Sequence, residues 1–290
     1  FNFMNIIDDL KLHYKTGGML QKLIFWNIGL FVGFTLLDVI LKLAKVPFNY
    51  FDFVALSSDL SVFIMKPWTL ITFNFFHSGI FHLIFNLLVL HFSGRLFNTY
   101  FTDKQMFGVY LLGGMFSGLI FLLSYFLLDN VSLLVGASGA IMAILIATTV
   151  YAPYMLLRIP LIGVVKLWHV AFVILAIDLI QLPMNNTGGH IAHLGGAFFG
   201  YLYIQILKSG TDITTPLSSF FDKIVNAFKP KEKTPFKKVH RNTVKKDVTS
   251  GVRNKDLTQK QIDEILDKIS KSGYDSLTKQ EKEFLFKVGK

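Results

Sequence analysis

The chain has 290 residues, 52% of them hydrophobic, with 30 phenylalanines and a mean hydropathy of +0.49. That composition excludes an ordinary soluble domain and the length exceeds one simple span, so the expected fold class is an all-α polytopic membrane protein. The absence of cysteine excludes disulfides, thiol nucleophiles and cysteine metal sites; a net charge of +10 would ordinarily raise nucleic acid as a partner, but most basic residues lie after Lys208, so no nucleic-acid partner is expected.

In chain order, residues 1–21 read as a cytoplasmic lead-in, with charged residues where a signal peptide needs its apolar run and Met4 as a candidate start. Six apolar stretches follow at about 22–43, 69–92, 105–127, 138–152, 165–182 and 190–207, forming a predicted six-transmembrane-helix bundle over 22–207. The fourth, about 15 residues, is too short for a bilayer core roughly 30 Å thick. Residues 129–137 are therefore expected to dip inward and line a wet cavity, since bare backbone amides are not tolerated in lipid.

Lys and Arg in the lead-in, the second-to-third loop (Arg95, Lys104), the fourth-to-fifth loop (Arg158, Lys166) and the tail fall on one side. By the positive-inside rule that side is cytoplasmic, which predicts a multi-pass protein of the cell's inner (plasma) membrane with both termini inside. Residues 208–256, with Pro216, Pro230 and Pro235 among many basic residues, read as a flexible linker able to meet anionic membrane lipids. Residues 257–290 read as a helical hairpin, with capping boxes at Thr258–Gln261 and Thr278–Glu281 and a stop at Gly273.

Polar side chains at membrane depth mark function by default. Ser138, between Gly136 and Gly139 at the head of the short fourth helix, is placed where free backbone N–H groups favour developing negative charge. His82 and Asn86 stand at i and i+4 and so share a helix face, suited to complete an oxyanion site with the Ser138 amide. His193, in the sixth span, is the expected base, and the small-residue stripes Gly139, Ala143, Ala147 and Ala192, Gly196, Gly200 let the two helices approach closely. No carboxylate is evidently placed to orient His193, so the spacing predicts a Ser-His dyad. Asp178 in the fifth span reads as a hydrated polar contact near the outer end rather than a relay or histidine orienter. His190 is expected to shape the entrance, and His169 and His91 to be structural. HxxxxH and HxxH lack the carboxylate of a zinc-hydrolase motif, so no metal or organic cofactor is expected.

The strings PWTLITFNFFHSGIFHLIFNLLVLHFSG, GASGA and AHLGGAFFG resemble the rhomboid family of intramembrane serine proteases over about residues 20–207, in its bacterial six-span form. The resemblance implies a nucleophile at Ser138, a base at His193, and oxyanion contributions from His82 and Asn86, with His77 in a structural role. It also implies single-span membrane proteins as substrates. Met142 stands where many members carry a tyrosine against the catalytic ring. A catalytically inactive client-binding relative and a transporter or channel are the alternatives. Substrate access is expected through a lateral gate formed by the fifth span and the loop after it. The oligomeric state is not readable.

Overall fold

A computed structural model describes residues 3–128, 131–160, 162–184, 186–228 and 252–288. The chain forms two compact units, Phe1–Lys229 and Pro230–Lys290. The first opens with α1 (Phe3–Thr16) and α2 (Met19–Leu43), followed by a folded loop of α3 (Phe51–Val54), β1 (Leu56–Ser57) and α4 (Leu60–Met65). Next come α5 (Thr69–Thr72) with a 3-10 turn at Phe73–Phe75, α6 (Ile80–Phe97), α7 (Asp103–Leu128), β2 (Leu133–Leu134) and α8 (Ser138–Tyr151). A hairpin of β3 (Leu156–Ile159) and β4 (Gly163–Lys166) leads to α9 (Leu167–Gln181), α10 (Thr187–Lys208) and α11 (Thr215–Phe228).

The all-α class holds, with two small antiparallel strand pairs as its only sheet among the described residues. By length and composition three described helices can each cross a membrane: Met19–Leu43, Ile80–Phe97 and the Asp103–Ser124 part of α7. Aliphatic side chains such as Val32, Leu36 and Ile40 on α2 stay exposed, as a lipid-facing surface requires.

At the centre is α8. Its 14 residues rise about 21 Å, short of the bilayer core, and residues 139–149 are all buried. It packs between α7 and α10 through the small-residue stripes. A Cβ built on Gly196 would collide with the Gly139 carbonyl, and one on Gly200 with the Ala143 carbonyl and, at 2.9 Å, the Ala147 nitrogen. Backbone thus meets backbone, which is how helices gain packing where no hydrophobic force drives them together.

Two expectations for the first unit and the stretch after it are corrected. The second span begins at Ile80 instead of residue 69, because the chain breaks at Phe76–Gly79 after the 3-10 turn and Gly79 takes an extended conformation. The stretch 208–256 is not all linker: α11 is amphipathic and packs on α7, tied by Lys104 Nζ to Asp222 at 2.6 Å, while Gln105 Nε2 holds Asp212 in the turn before it at 3.0 Å. Pro216 falls in its first turn, where a missing N–H is harmless. Of the remaining predicted linker, residues 252–256 belong to the helix Val252–Ser272, and residues 229–251 lie outside the described residues.

In the second unit, α12 (Val252–Ser272) and α13 (Lys279–Val288) flank a 3-10 turn at Tyr274–Ser276. Because α12 starts at Val252, the Thr258–Gln261 box does not begin it. Gly273 ends α12 at φ 76°, a left-handed turn that favours glycine. The second box forms: Thr278 donates its amide to Glu281 Oε2 at 2.7 Å, and Lys268 Nζ reaches Glu281 at 2.9 Å.

Candidate active site

Ser138 is the first residue of α8, and the segment before it is held on both sides. Leu133 and Leu134 pair with Ser57 and Leu56, Ser132 donates its amide to Ser58 Oγ at 2.7 Å, and Gly136 donates to the Phe73 carbonyl at 2.9 Å. Gly136 adopts φ 127°, a region L side chains rarely enter. A Cβ there would also stand 2.8 Å from His82 Nε2, with Ser138 Oγ 3.7 Å away. The ring of His82 and the hydroxyl of Ser138 therefore flank the same bare backbone, and the free amides of the first turn of α8 open beside them.

His82 Nδ1 lies 3.0 Å from Ser78 Oγ. When that hydroxyl donates, the ring carries its proton on Nε2, the edge beside Gly136 and Ser138. His77 is buried and presents its ring edge-on to His82, centroids 5.1 Å apart, so it backs the site without lining it. Asn86 differs from expectation in its donor: Nδ2 bonds the His82 carbonyl of its own helix at 2.8 Å, and Oδ1 has no partner.

A cavity of about 1210 Å³ is lined by Ser78, His82, Asn86, Leu133 to Val135, Ser138, Met142, Asp178, His190 and His193, among others. The segment before α8 borders it, as its inward dip predicts; residues 129 and 130 lie outside the described residues. Ser138 and His193 are brought to one cavity from different helices. Both line it, and their side chains are not hydrogen bonded to each other.

The polar contact that sequence spacing did not resolve is Asp178. It is buried at 4% exposure, and its Oδ1 lies 2.8 Å from the Nδ1 atoms of both His193 and His190. The fold thereby places on His193 the carboxylate that a Ser-His dyad lacks. His190 is buried against Asp178 instead of standing at the entrance. The turn that makes this possible is Asn186, whose left-handed φ of 57° starts α10 at Thr187; asparagine tolerates that conformation better than most residues. Asp178, His190 and His193 each offer one ligand atom within 4.8 Å of the others. Both Nδ1 atoms are already engaged by Oδ1, so a cation would have to displace those contacts.

A model of the rhomboid domain matches residues 65–210, half of the chain. The protein belongs to the rhomboid family. A second model, a family of unknown function (DUF6576), matches residues 253–288, within the C-terminal unit. Among curated proteins, the chain is 32% identical over 167 residues to the mitochondrial presenilin-associated rhomboid-like protein of Mus musculus, covering 56% of this chain and 42% of that protein. It is 29% identical over 134 residues to presenilin-associated rhomboid-like protein A, mitochondrial, of Danio rerio, 45% of this chain and 35% of the relative. It is 32% identical over 139 residues to RHOMBOID-like protein 4 of Arabidopsis thaliana, 47% and 33% respectively. The matched region spans less than half the length of each of these relatives. With its apolar helices, the rhomboid domain makes this a multi-pass membrane protein.

Proposed function

We propose that the protein is an intramembrane serine endopeptidase that cleaves transmembrane segments of single-span membrane proteins, with Ser138 as nucleophile and His193 as base. One observation carries the reading: the hydroxyl at the N-terminus of α8 and the imidazole of α10 line a single cavity together with His82. In the reaction, His193 Nε2 takes the Ser138 proton as Oγ attacks the scissile carbonyl carbon. The oxyanion is met by the Ser138 amide and His82 Nε2–H, with Asn86 joining if its amide turns from the His82 carbonyl. His193 returns the proton to the departing amine as the C–N bond breaks. A water then gives its proton to His193 and attacks the acyl carbon, and the proton goes back to Oγ as the C–O bond breaks.

The distribution of Lys and Arg supports an inner-membrane protein with both termini cytoplasmic, while the relatives of mouse and zebrafish are mitochondrial by name. Met142, buried beside the cavity, supplies a thioether to pack near the catalytic ring. The test is labelling of the detergent-solubilised protein by a fluorophosphonate probe. Wild type is expected to label, and Ser138→Ala and His193→Ala not to. An unlabelled wild type, or equal labelling of Ser138→Ala, refutes the protease and favours the inactive client-binding alternative.

A further inference from the structure

We propose that Asp178 is a positioning residue that fixes the tautomer of His193, and that His190 is a brace holding the Asp178 carboxylate in place. The proposal rests on the protease reading for its purpose and on the hydrogen-bond geometry for its content. One oxygen, Asp178 Oδ1, stands 2.8 Å from two Nδ1 atoms, one turn apart on α10. An ionised carboxylate only accepts, so both rings must donate, and both keep their proton on Nδ1. That leaves Nε2 of His193 bare, the form a general base needs. The wrong tautomer would present an N–H to the Ser138 hydroxyl and could take no proton from it.

The second imidazole gives the arrangement its reason. An ionised carboxylate at 4% exposure is unfavourable without partners, and Oδ2 has none. Two charge-assisted bonds to Oδ1 offset that burial and hold the group against rotation. With His190 alone engaged, Asp178 would be a structural contact; with His193 alone, it could swing to offer either oxygen. Sharing one oxygen places it along the Nδ1 edge of the base. When His193 becomes imidazolium in the reaction, the carboxylate faces the new charge and keeps its own ionised state, while the Nδ1 proton stays where it was. The other titratable ring facing the cavity, His82 on α6, engages Ser78 instead.

The test uses the full chain in detergent with 15N-labelled histidine. The nitrogen shifts of the imidazoles distinguish protonated from bare ring nitrogens, and His190→Gln and His193→Gln assign the signals. In wild type both rings are expected to show a protonated Nδ1 and a bare Nε2, and Asp178→Asn to abolish that pattern. In parallel, the rate of fluorophosphonate labelling of Ser138 should fall about a hundredfold or more in Asp178→Asn, and by a smaller factor in His190→Gln. A proton on Nε2 of His193 in the wild-type protein overturns the proposal; this readout is taken from the wild-type spectrum, the variants serving only to assign it. Labelling of Asp178→Asn at the wild-type rate overturns it as well. A wild-type protein that never labels but shows the expected tautomers removes the protease reading alone and leaves the Asp178 contact standing.

Discussion

Gly196 of α10 and the carbonyl of Gly139 on α8 are in direct contact, with no room for a single carbon between them. Because Gly139 adjoins Ser138, this contact sets how near His193, one turn before Gly196, comes to the serine. Gly196→Val should lower stability by about 3 kcal/mol, the upper end of ordinary overpacking, since backbone cannot move aside as a side chain does. Thermal unfolding in detergent measures it. A variant as stable as wild type would mean that the helices do not pack this way.

Gly136→Ala separates local geometry from folding. The residue sits at φ 127° and its Cβ would press on the His82 ring. Fluorophosphonate labelling is expected to fall steeply while the melting temperature moves by only a few degrees, because the strain is confined to the turn before α8. Equal loss of both would point to a general packing defect.

The two residues of the proposed oxyanion site are not equivalent. His82 flanks Gly136 and Ser138, whereas the Asn86 amide is spent on the backbone of its own helix. His82→Ala should cost about 10²–10³ in turnover and Asn86→Ala about tenfold or less. Cleavage of a fluorogenic transmembrane substrate in vesicles ranks them, and the reverse order would require the Asn86 side chain to rotate on binding.

The C-terminal unit carries its own pH response. The Lys268 ammonium bonded to Glu281, then the amide and hydroxyl of Thr278, lower the Glu281 carboxyl from its ordinary 4.5 to about 2. A depressed carboxylate contributes stability that is fully present above 4.5 and is lost as pH falls through about 2. Hydrogen-exchange protection of the Thr278 amide, corrected for intrinsic rates, should decline across that window. In Glu281→Gln it should be low and nearly flat.

Much of this was legible from the chain. Helix cores and the close approach of α8 and α10 follow from apolar runs and small-residue stripes, and the shared face of His82 and Asn86 from i, i+4 spacing; the gathering of Ser138, His82 and His193 was expected from helix depth and from the family resemblance. The break at Phe76–Gly79 was hidden by continuous aromatic hydropathy on both sides, although Ser78-Gly79 marks it. Helix α11 was lost when a basic, proline-containing stretch was averaged over 208–256, where Leu217, Phe220, Phe221, Ile224 and Val225 make an apolar face of their own. The Asp178 contact had no spacing rule to announce it. It depends on how sharply the chain reverses at Asn186, a tertiary fact that periodicity on either helix does not encode.

The carboxylate and its two imidazole partners belong to different walls of the cavity: Asp178 rides on α9, His190 and His193 on α10. An outward swing of α9 wide enough to admit a substrate helix would draw the carboxylate off both rings at once. On the proposed reading, the site would be disarmed while that wall stood open, and rearmed only once the client was inside and the wall had closed behind it.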